Sequence, residues 1–227
     1  MFTPCTPKPH VRPGRLPLMI AAVALLTVAG CGAREAALQA TSAPTIAAPD
    51  RPSVTGRVAT ALHLKKKQPA MSWGDENPEW TEAALAALNG EGVSLLSAMP
   101  ADVLQYCPGY ATQSRENRAA FWAGLLSAVA RHESGLNPAA QDRSGRLGLL
   151  KISRPAAQEN GCGGSMLKGE DNLKCAVRIM SRSVAQDGAI AEGKGGWRGV
   201  ARNWMPLRSA QKRADIAGWT KQQSYCR

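Results

Sequence analysis

The chain has 227 residues, with 28 lysines and arginines against 17 acidic residues, so its formal charge is +11. That length is enough for one domain of ordinary size plus additional segments. Beyond the first 30 residues no stretch is apolar enough to cross a bilayer, which excludes a protein with several membrane spans.

Residues 1–30 have the pattern of a signal peptide, because a basic start without acids precedes an apolar run at 16–30. The run ends in the letters VAGC at Cys31. This ending resembles the bacterial lipoprotein signal, which implies that Cys31 is acylated and becomes the mature N-terminus. Gly32 follows the cysteine, which by the same resemblance implies the outer membrane, with the protein facing the periplasm. A plain secretory signal or an uncleaved anchor is the alternative.

Residues 31–74 are rich in alanine, proline, threonine and serine and contain few large apolar side chains. Such a segment cannot bury enough surface to offset the entropy of ordering it. We predict a lipidated flexible linker, whose roughly forty residues would span about 35 Å as a coil. The folded domain is then expected at 75–227.

The predicted fold class is mostly α, because capping residues and apolar periodicity mark helices throughout the remaining chain. A strand signal is weak and confined to 147–152. Ser114 is predicted to cap the central helix and Gly135 to end it, while Asp171 and Gly188 are predicted to bound a later one. The predicted helices are 81–89, 93–99, 101–106, 114–134, a short one opened by Ser153 and Pro155, 171–187, 199–204 and 209–222.

Four cysteines follow Cys31, an even number that suits disulfides in an oxidising compartment. They permit three pairings. We favour Cys162 with Cys175, which closes a short glycine-rich loop, and Cys107 with Cys226, which ties the C-terminal tail to the start of the domain. No Cys-x-x-Cys spacing or histidine cluster supports a metal site, so none is expected.

The central helix carries a carboxylate on its apolar face. Phe121, Leu125, Val129 and Glu133 follow one another at intervals of four and share one stripe. Apolar surroundings and the helix C-terminus both disfavour a charged carboxylate, so the pKa of Glu133 is expected to rise. A carboxyl group of this kind can act as a general acid near neutral pH. The alternative is that Glu133 points to solvent beyond a frayed last turn.

The letters HESGLNP at 132–138 and SGRLGLLKIS at 144–153 resemble the first two motifs of the soluble lytic transglycosylase domain, a goose-type lysozyme-like family. The segment 169–180 resembles a third motif. The last motif is poorly kept, since Ala201 and Asn203 remain but its tyrosine is missing.

The resemblance implies a lysozyme-like helical fold and a peptidoglycan lytic transglycosylase that uses no cofactor. Such an enzyme cleaves the β-1,4 bond between N-acetylmuramic acid and N-acetylglucosamine without water and leaves a 1,6-anhydro ring. Glu133 would act first as acid and then as base. The substrate-binding residues implied by the resemblance are Ser134, Gly148, Leu149, Lys151, Asn172, Asn203 and Trp204.

Lys151 stands where the family commonly has glutamine, and Leu149 is most simply explained as core. Ser134 would orient the substrate or cap the helix end. Trp204 is one aromatic that could replace the missing tyrosine.

Two other functions remain open from the sequence. A hydrolytic muramidase would need a positioned water and a second acid, and Asp142 lies in a polar turn typical of turn-forming carboxylates. A catalytically silent peptidoglycan-binding lipoprotein is the other, made plausible by Lys151 and the missing tyrosine. A cap or assembly factor of an envelope-spanning assembly is a further possibility.

The charge indicates the kind of partner. Removal of the signal leaves +8 on the mature chain, and the part from Trp197 onward carries seven bases against the single acid Asp215. Behind a lipoprotein signal, carboxylated peptidoglycan and anionic envelope polymers suit this charge better than nucleic acid, which is not expected as a partner. A merely solvated basic face is the alternative.

Overall fold

The computed structural model describes residues 67–227. The predicted signal peptide, Cys31 and most of the predicted linker lie outside the described residues. Within them the chain is mostly helical, as predicted, with a single two-stranded hairpin. None of the helices in this part is long and apolar enough to span a membrane.

The α-helices are α1 (Pro78–Asn89), α2 (Arg115–Ser134), α3 (Arg154–Glu159), α4 (Gly169–Asp187) and α5 (Ala210–Lys221). The strands β1 (Glu192–Gly193) and β2 (Gly196–Trp197) pair antiparallel, with Glu192 opposite Trp197. Short 3₁₀ turns connect them at Val93–Leu96, Val103–Gln105, Tyr110–Thr112, Gly199–Arg202, Met205–Arg208 and Ser224–Cys226.

Helix α2 forms the centre of the domain. Its ends lie where the sequence predicted them: the Ser114 hydroxyl accepts from the Asn117 amide, and Gly135 turns the chain at φ 64°. Every residue from 119 to 130 is buried, so the helix is enclosed on all sides rather than along one stripe. The small residues Ala, Gly and Ser between the large ones make this possible, because neighbouring elements approach its backbone closely. Gly124 is one such place, since a Cβ there would lie 2.2 Å from the Tyr225 hydroxyl.

The packed part of the chain begins before the predicted boundary at residue 75. Met71 and Trp73 are buried in the core. The Ser72 amide donates to the Ser127 hydroxyl of α2 at 2.8 Å, and the Trp73 indole donates to Thr81 at 2.9 Å. The segment therefore belongs to the domain. The boundary was predicted too late in the chain because the preceding residues are rich in alanine and proline, a composition typical of a linker.

Helix α4 begins at Gly169 rather than at the predicted cap Asp171. The start is fixed by packing, because a Cβ on Gly169 would lie 2.2 Å from the Trp80 indole nitrogen of α1. The Asp171 carboxylate instead accepts a hydrogen bond from the Ser165 amide at 3.1 Å. Gly188 ends the helix at φ 60°, as predicted.

The shorter predictions were less accurate. The helices expected at 93–99, 101–106 and 199–204 are 3₁₀ turns, and the strand expected at 147–152 is a tight loop held by isolated bridges. The hairpin at 192–197 was not predicted.

Both favoured disulfides are present in the structure. Cys107–Cys226 joins residues 119 positions apart and fastens the C-terminal turn beside α2. Cys162–Cys175 joins residues 13 positions apart and fastens the glycine-rich loop after α3 to α4.

Candidate active site

Glu133 lies in the last turn of α2, immediately before the chain reverses at Gly135. Glu133 is only 9% exposed. One carboxylate oxygen, Oε1, is buried and has no hydrogen-bond partner among the described residues. A buried acceptor without a partner is costly in a folded protein, and such costs are concentrated at functional sites.

Two opposing effects act on Glu133. Burial is the larger, and it raises the pKa of the carboxyl group above its ordinary value. The positive charges of Arg146, Lys151 and Lys212, together with a hydrogen bond from the Met205 backbone, lower the pKa but do not cancel the effect of burial. Burial thus favours the protonated form of the carboxyl group, and the three bases favour the carboxylate.

The charged neighbours come from two separate elements. Arg146 and Lys151 lie in the loop of the second motif, and Lys212 lies in the first turn of α5. Arg146, Lys212 and Met205 were not predicted from the sequence as part of the site. Arg146 lies within the second motif, so the sequence pointed to its neighbourhood. Lys212 and Met205 could not be found in this way, because only tertiary packing brings α5 and the segment before it close to Glu133.

Asp142 is occupied in holding a turn. Its Oδ1 accepts from the amides of Ser144 and Arg146, both at 3.0 Å, and its Oδ2 accepts from the Arg146 guanidinium at 2.7 Å. The Ser144 hydroxyl also donates to it at 2.7 Å. The hydrogen bonds from Ser144 and Arg146 hold the pKa of Asp142 far below its usual range. Asp142 is therefore ionised and structurally engaged, as a turn-forming carboxylate.

Asn172 does not face the substrate, contrary to the role that the resemblance implied. It is fully buried in α4. Its amide group donates to the carbonyls of Leu147 and Met166 at 3.0 and 2.9 Å, and its oxygen accepts from the Leu150 amide at 3.0 Å. Asn172 instead fixes the shape of the second-motif loop.

Gly148 is required by the same arrangement. It adopts φ 80°, and a Cβ there would lie 2.0 Å from the Met166 carbonyl and 2.3 Å from the Asn172 amide nitrogen. Its backbone is buried, so its role is to admit Asn172 rather than to contact a sugar.

Leu149 and Trp204 also lie in the core. Leu149 is fully buried, and Trp204 is 1% exposed with its indole donating to the Leu150 carbonyl at 2.9 Å. Neither can offer a face to substrate, so these two predicted contacts are wrong. Trp204 therefore does not replace the missing tyrosine, and Tyr225, also buried, donates to the Ala70 carbonyl instead.

The other predicted residues remain accessible. Ser134 is half-buried and its hydroxyl donates back to the Ala130 carbonyl at 3.3 Å. Lys151 is half-buried, with its backbone at φ 43°, an uncommon conformation for a residue with a side chain. Asn203 is exposed, but its amide donates to Ser183 of α4 at 2.8 Å.

Comparison with known proteins agrees with this geometry. The family model described as the transglycosylase SLT domain matches residues 111–194, a range that contains α2, Glu133 and the second-motif loop. The solved structure of wild-type Bd0314 DslA is 31% identical, with a TM-score of 0.64, over 71% of this chain and 100% of that chain. The chain belongs to the transglycosylase SLT domain family.

Two further structures of DslA, each a variant with one glutamate replaced by glutamine, are similar to this SLT-domain protein to the same degree. They are 31% and 30% identical, with TM-scores of 0.64 and 0.63, and each is covered completely by 71% of this chain. No curated protein matches.

Proposed function

We propose that this SLT-domain protein is a peptidoglycan lytic transglycosylase and that Glu133 is its catalytic acid and base. The observation that carries the proposal is the buried Glu133 carboxyl group, which has a raised pKa, an unpartnered oxygen and a cluster of bases around it. The family match supports the substrate class, the glycan strand of peptidoglycan.

The proposed reaction has two proton transfers. The protonated Glu133 donates its proton to the glycosidic oxygen as the bond from that oxygen to C1 of N-acetylmuramic acid breaks. The resulting Glu133 carboxylate then accepts the proton of the C6 hydroxyl as O6 bonds to C1 and closes the 1,6-anhydro ring. The enzyme ends protonated, as it began, and no water is consumed.

The electrostatic balance at Glu133 suits this cycle. Burial favours the neutral acid needed in the first step, while Arg146, Lys151 and Lys212 stabilise the carboxylate needed in the second. A group that must both give and take a proton works best when neither form is strongly preferred.

Hydrolysis is the second candidate, and the site supports it less well. Glycosidases that use water ordinarily employ a second carboxylate. Every charged group that acts on the pKa of Glu133 within the described part of the chain is a base, and Asp142 is bound to Ser144 and Arg146. This favours a nucleophile supplied by the substrate itself. A silent binding protein is disfavoured by the cost of leaving a buried carboxylate oxygen without a partner.

We further propose that the protein is attached to the outer membrane through lipidated Cys31 and works in the periplasm. The two disulfides within residues 67–227 support an oxidising compartment. Cys31→Ser should release the protein from the membrane fraction and abolish incorporation of labelled fatty acid. Unchanged labelling in that variant would refute the anchoring proposal.

The reaction is tested by digesting purified sacculi and analysing the released muropeptides by mass spectrometry. We expect anhydro-muropeptides, lighter than hydrolytic products by the mass of one water. Glu133→Gln should abolish release while preserving folding and binding to sacculi. Glu159→Gln, at an exposed position in α3, is the matched control and should release products at the wild-type rate. Turnover by Glu133→Gln would exclude Glu133 as the catalytic residue.

A further inference from the structure

The β1–β2 hairpin presents an exposed tryptophan. Trp197 is 39% exposed, whereas Trp73, Trp80, Trp122 and Trp204 are each 7% exposed or less. Nothing in the proposed reaction at Glu133 uses Trp197. Trp197 therefore remains accessible for contact with a ligand.

One face of the indole is already covered. The Arg213 guanidinium of α5 lies over the ring, 5.1 Å from its centroid. The Nη2 of Arg213 also forms an ion pair of 2.8 Å with Glu192, the residue opposite Trp197 in the hairpin. The stack and the ion pair restrain the orientation of the ring.

The base of the hairpin is equally well fixed. The buried Asp102 carboxylate accepts hydrogen bonds from the amides of Ile190, Ala191 and Glu192 at 2.6, 2.8 and 3.1 Å. Directly after β2, the Arg198 amide donates to the Ala191 carbonyl at 2.9 Å. Trp197 is therefore presented on a pre-organised support, which lowers the entropic cost of binding.

A cleft lies beside the ring. It has a volume of about 260 Å³ and is lined by Glu192, Gly193, Gly196 and Trp197. The two glycines leave it free of side chains, and Glu192 places a half-exposed carboxylate at its edge. An aromatic face next to a hydrogen-bond acceptor suits a sugar ring, whose C–H face is apolar and whose rim carries hydroxyl groups.

The cleft is linked to Glu133 through α5. Lys212 in the first turn of this helix acts on the Glu133 carboxylate, and the next residue, Arg213, stacks on Trp197. The segment before α5 also contains Met205, whose backbone hydrogen-bonds to Glu133. The same short stretch thus contacts both the candidate catalytic site and the hairpin.

We propose that Trp197 and Glu192 form an outlying saccharide-binding site, which holds one sugar ring of the glycan strand while another part of the strand lies at Glu133. The identity of the strand rests on the proposed function. The hairpin would contribute affinity for long strands without taking part in the proton transfers.

The test measures the affinity of Glu133→Gln for a β-1,4-linked hexamer of N-acetylglucosamine by calorimetry. Adding Trp197→Ala should weaken binding about tenfold, which corresponds to about 1.4 kcal/mol. Trp197→Phe should retain most of the affinity but lose the change in indole fluorescence that the hexamer induces. Leu104→Ala, which removes another exposed side chain (49%), is the control and should have no effect.

Unchanged affinity in Trp197→Ala, or a fluorescence change that survives in Trp197→Phe, would overturn the proposal. So would Trp197-dependent binding to phosphatidylglycerol vesicles without any to the hexamer. The test of the saccharide site can fail or succeed independently of the test of the proposed reaction. A protein that binds the hexamer through Trp197 but releases no anhydro-muropeptides has the saccharide site and lacks the activity. A protein that releases anhydro-muropeptides but does not bind the hexamer through Trp197 has the activity and lacks the saccharide site.

Discussion

At the scale of single residues, the site depends on two opposing effects on the pKa of Glu133. The carboxyl group is buried deeply enough to raise its pKa, although Arg146, Lys151 and Lys212 all favour the charged form. The sequence predicted the raised pKa from the helical spacing of Glu133 with Val129 and other apolar residues. It did not predict the bases, because they come from a loop and a helix that only the folded chain brings together.

The raised pKa makes Glu133 a cost to stability at neutral and alkaline pH. The native state binds the Glu133 proton more tightly than the unfolded state does, so this contribution to stability is complete below the unfolded pKa and is lost as pH rises through the folded pKa. Glu133→Gln should therefore be more stable than wild type at pH above the folded pKa, and the difference should shrink in acid. Thermal unfolding of both proteins across pH measures this. A constant difference would show that Glu133 titrates normally.

The neighbouring lysines should set the pH at which activity declines. Because the first step needs protonated Glu133, kcat/KM should fall as pH rises through its pKa. Lys151→Gln removes a charge that lowers this pKa, so the decline should move to higher pH. Lys174→Gln, an exposed position on α4 outside the site, should leave the profile unchanged. An unmoved profile for Lys151→Gln would show that its ammonium group does not act on Glu133.

At the scale of elements, the second-motif loop is shaped by α4. Asn172 binds the loop at two backbone groups, those of Leu147 and Leu150, and ties it to the Met166 carbonyl before α4. Gly148 leaves the space for its side chain. The sequence identified both positions as important but gave them the wrong role. A motif records which residues are needed and does not record whether a side chain points to the substrate or into the core.

A comparison of Gly148 with Gly145 distinguishes the cost of a steric clash from the cost of backbone strain. Both have positive φ, at 80° and 76°, but a Cβ on Gly145 would meet nothing within 4 Å. Gly145→Ala should cost about 1 kcal/mol of unfolding free energy, from conformation alone. Gly148→Ala should cost about 3 kcal/mol or more, because Asn172 and the Met166 carbonyl must also move. Denaturant unfolding of both variants measures the difference, and equal costs would contradict this account of Gly148.

Helix boundaries could be predicted where a local cap decides them, and not where packing does. Ser114, Gly135 and Gly188 act through their own backbone or side chain, and they bound the helices as expected. The start of α4 depends on contact between Gly169 and Trp80, which are distant in sequence. The hairpin was missed because its two strands have only two residues each and depend on Asp102 for support.

At the scale of the whole molecule, the domain is arranged around a helix that is enclosed on all sides. Helix α2 packs against α1, α5 and the C-terminal turn, and it carries Glu133 out of this core at its last turn. The sequence predicted a mostly helical domain and the position of α2. It did not predict that α2 would be enclosed on all sides, because the alanines and the serine of α2 fit an exposed face as well as a closely packed one.

The two disulfides should differ in their contribution to stability. In the chain-entropy model, the bond that spans 119 residues should contribute about 5 kcal/mol and the bond that spans 13 about 3 kcal/mol. Replacing Cys107 and Cys226 together by serine should therefore lower the unfolding free energy more than replacing Cys162 and Cys175. Denaturant unfolding of both double variants measures this. The opposite order would show that native contacts, rather than loop closure, dominate.

The central claim is that the glycosidic bond is broken without water, by ring closure at Glu133. It is tested most directly by digesting sacculi in water labelled with heavy oxygen and analysing the new chain ends by mass spectrometry. The account predicts 1,6-anhydro ends that contain no label, and none of them in Glu133→Gln. Reducing ends that carry one heavy oxygen would show that water is the nucleophile and would contradict the account.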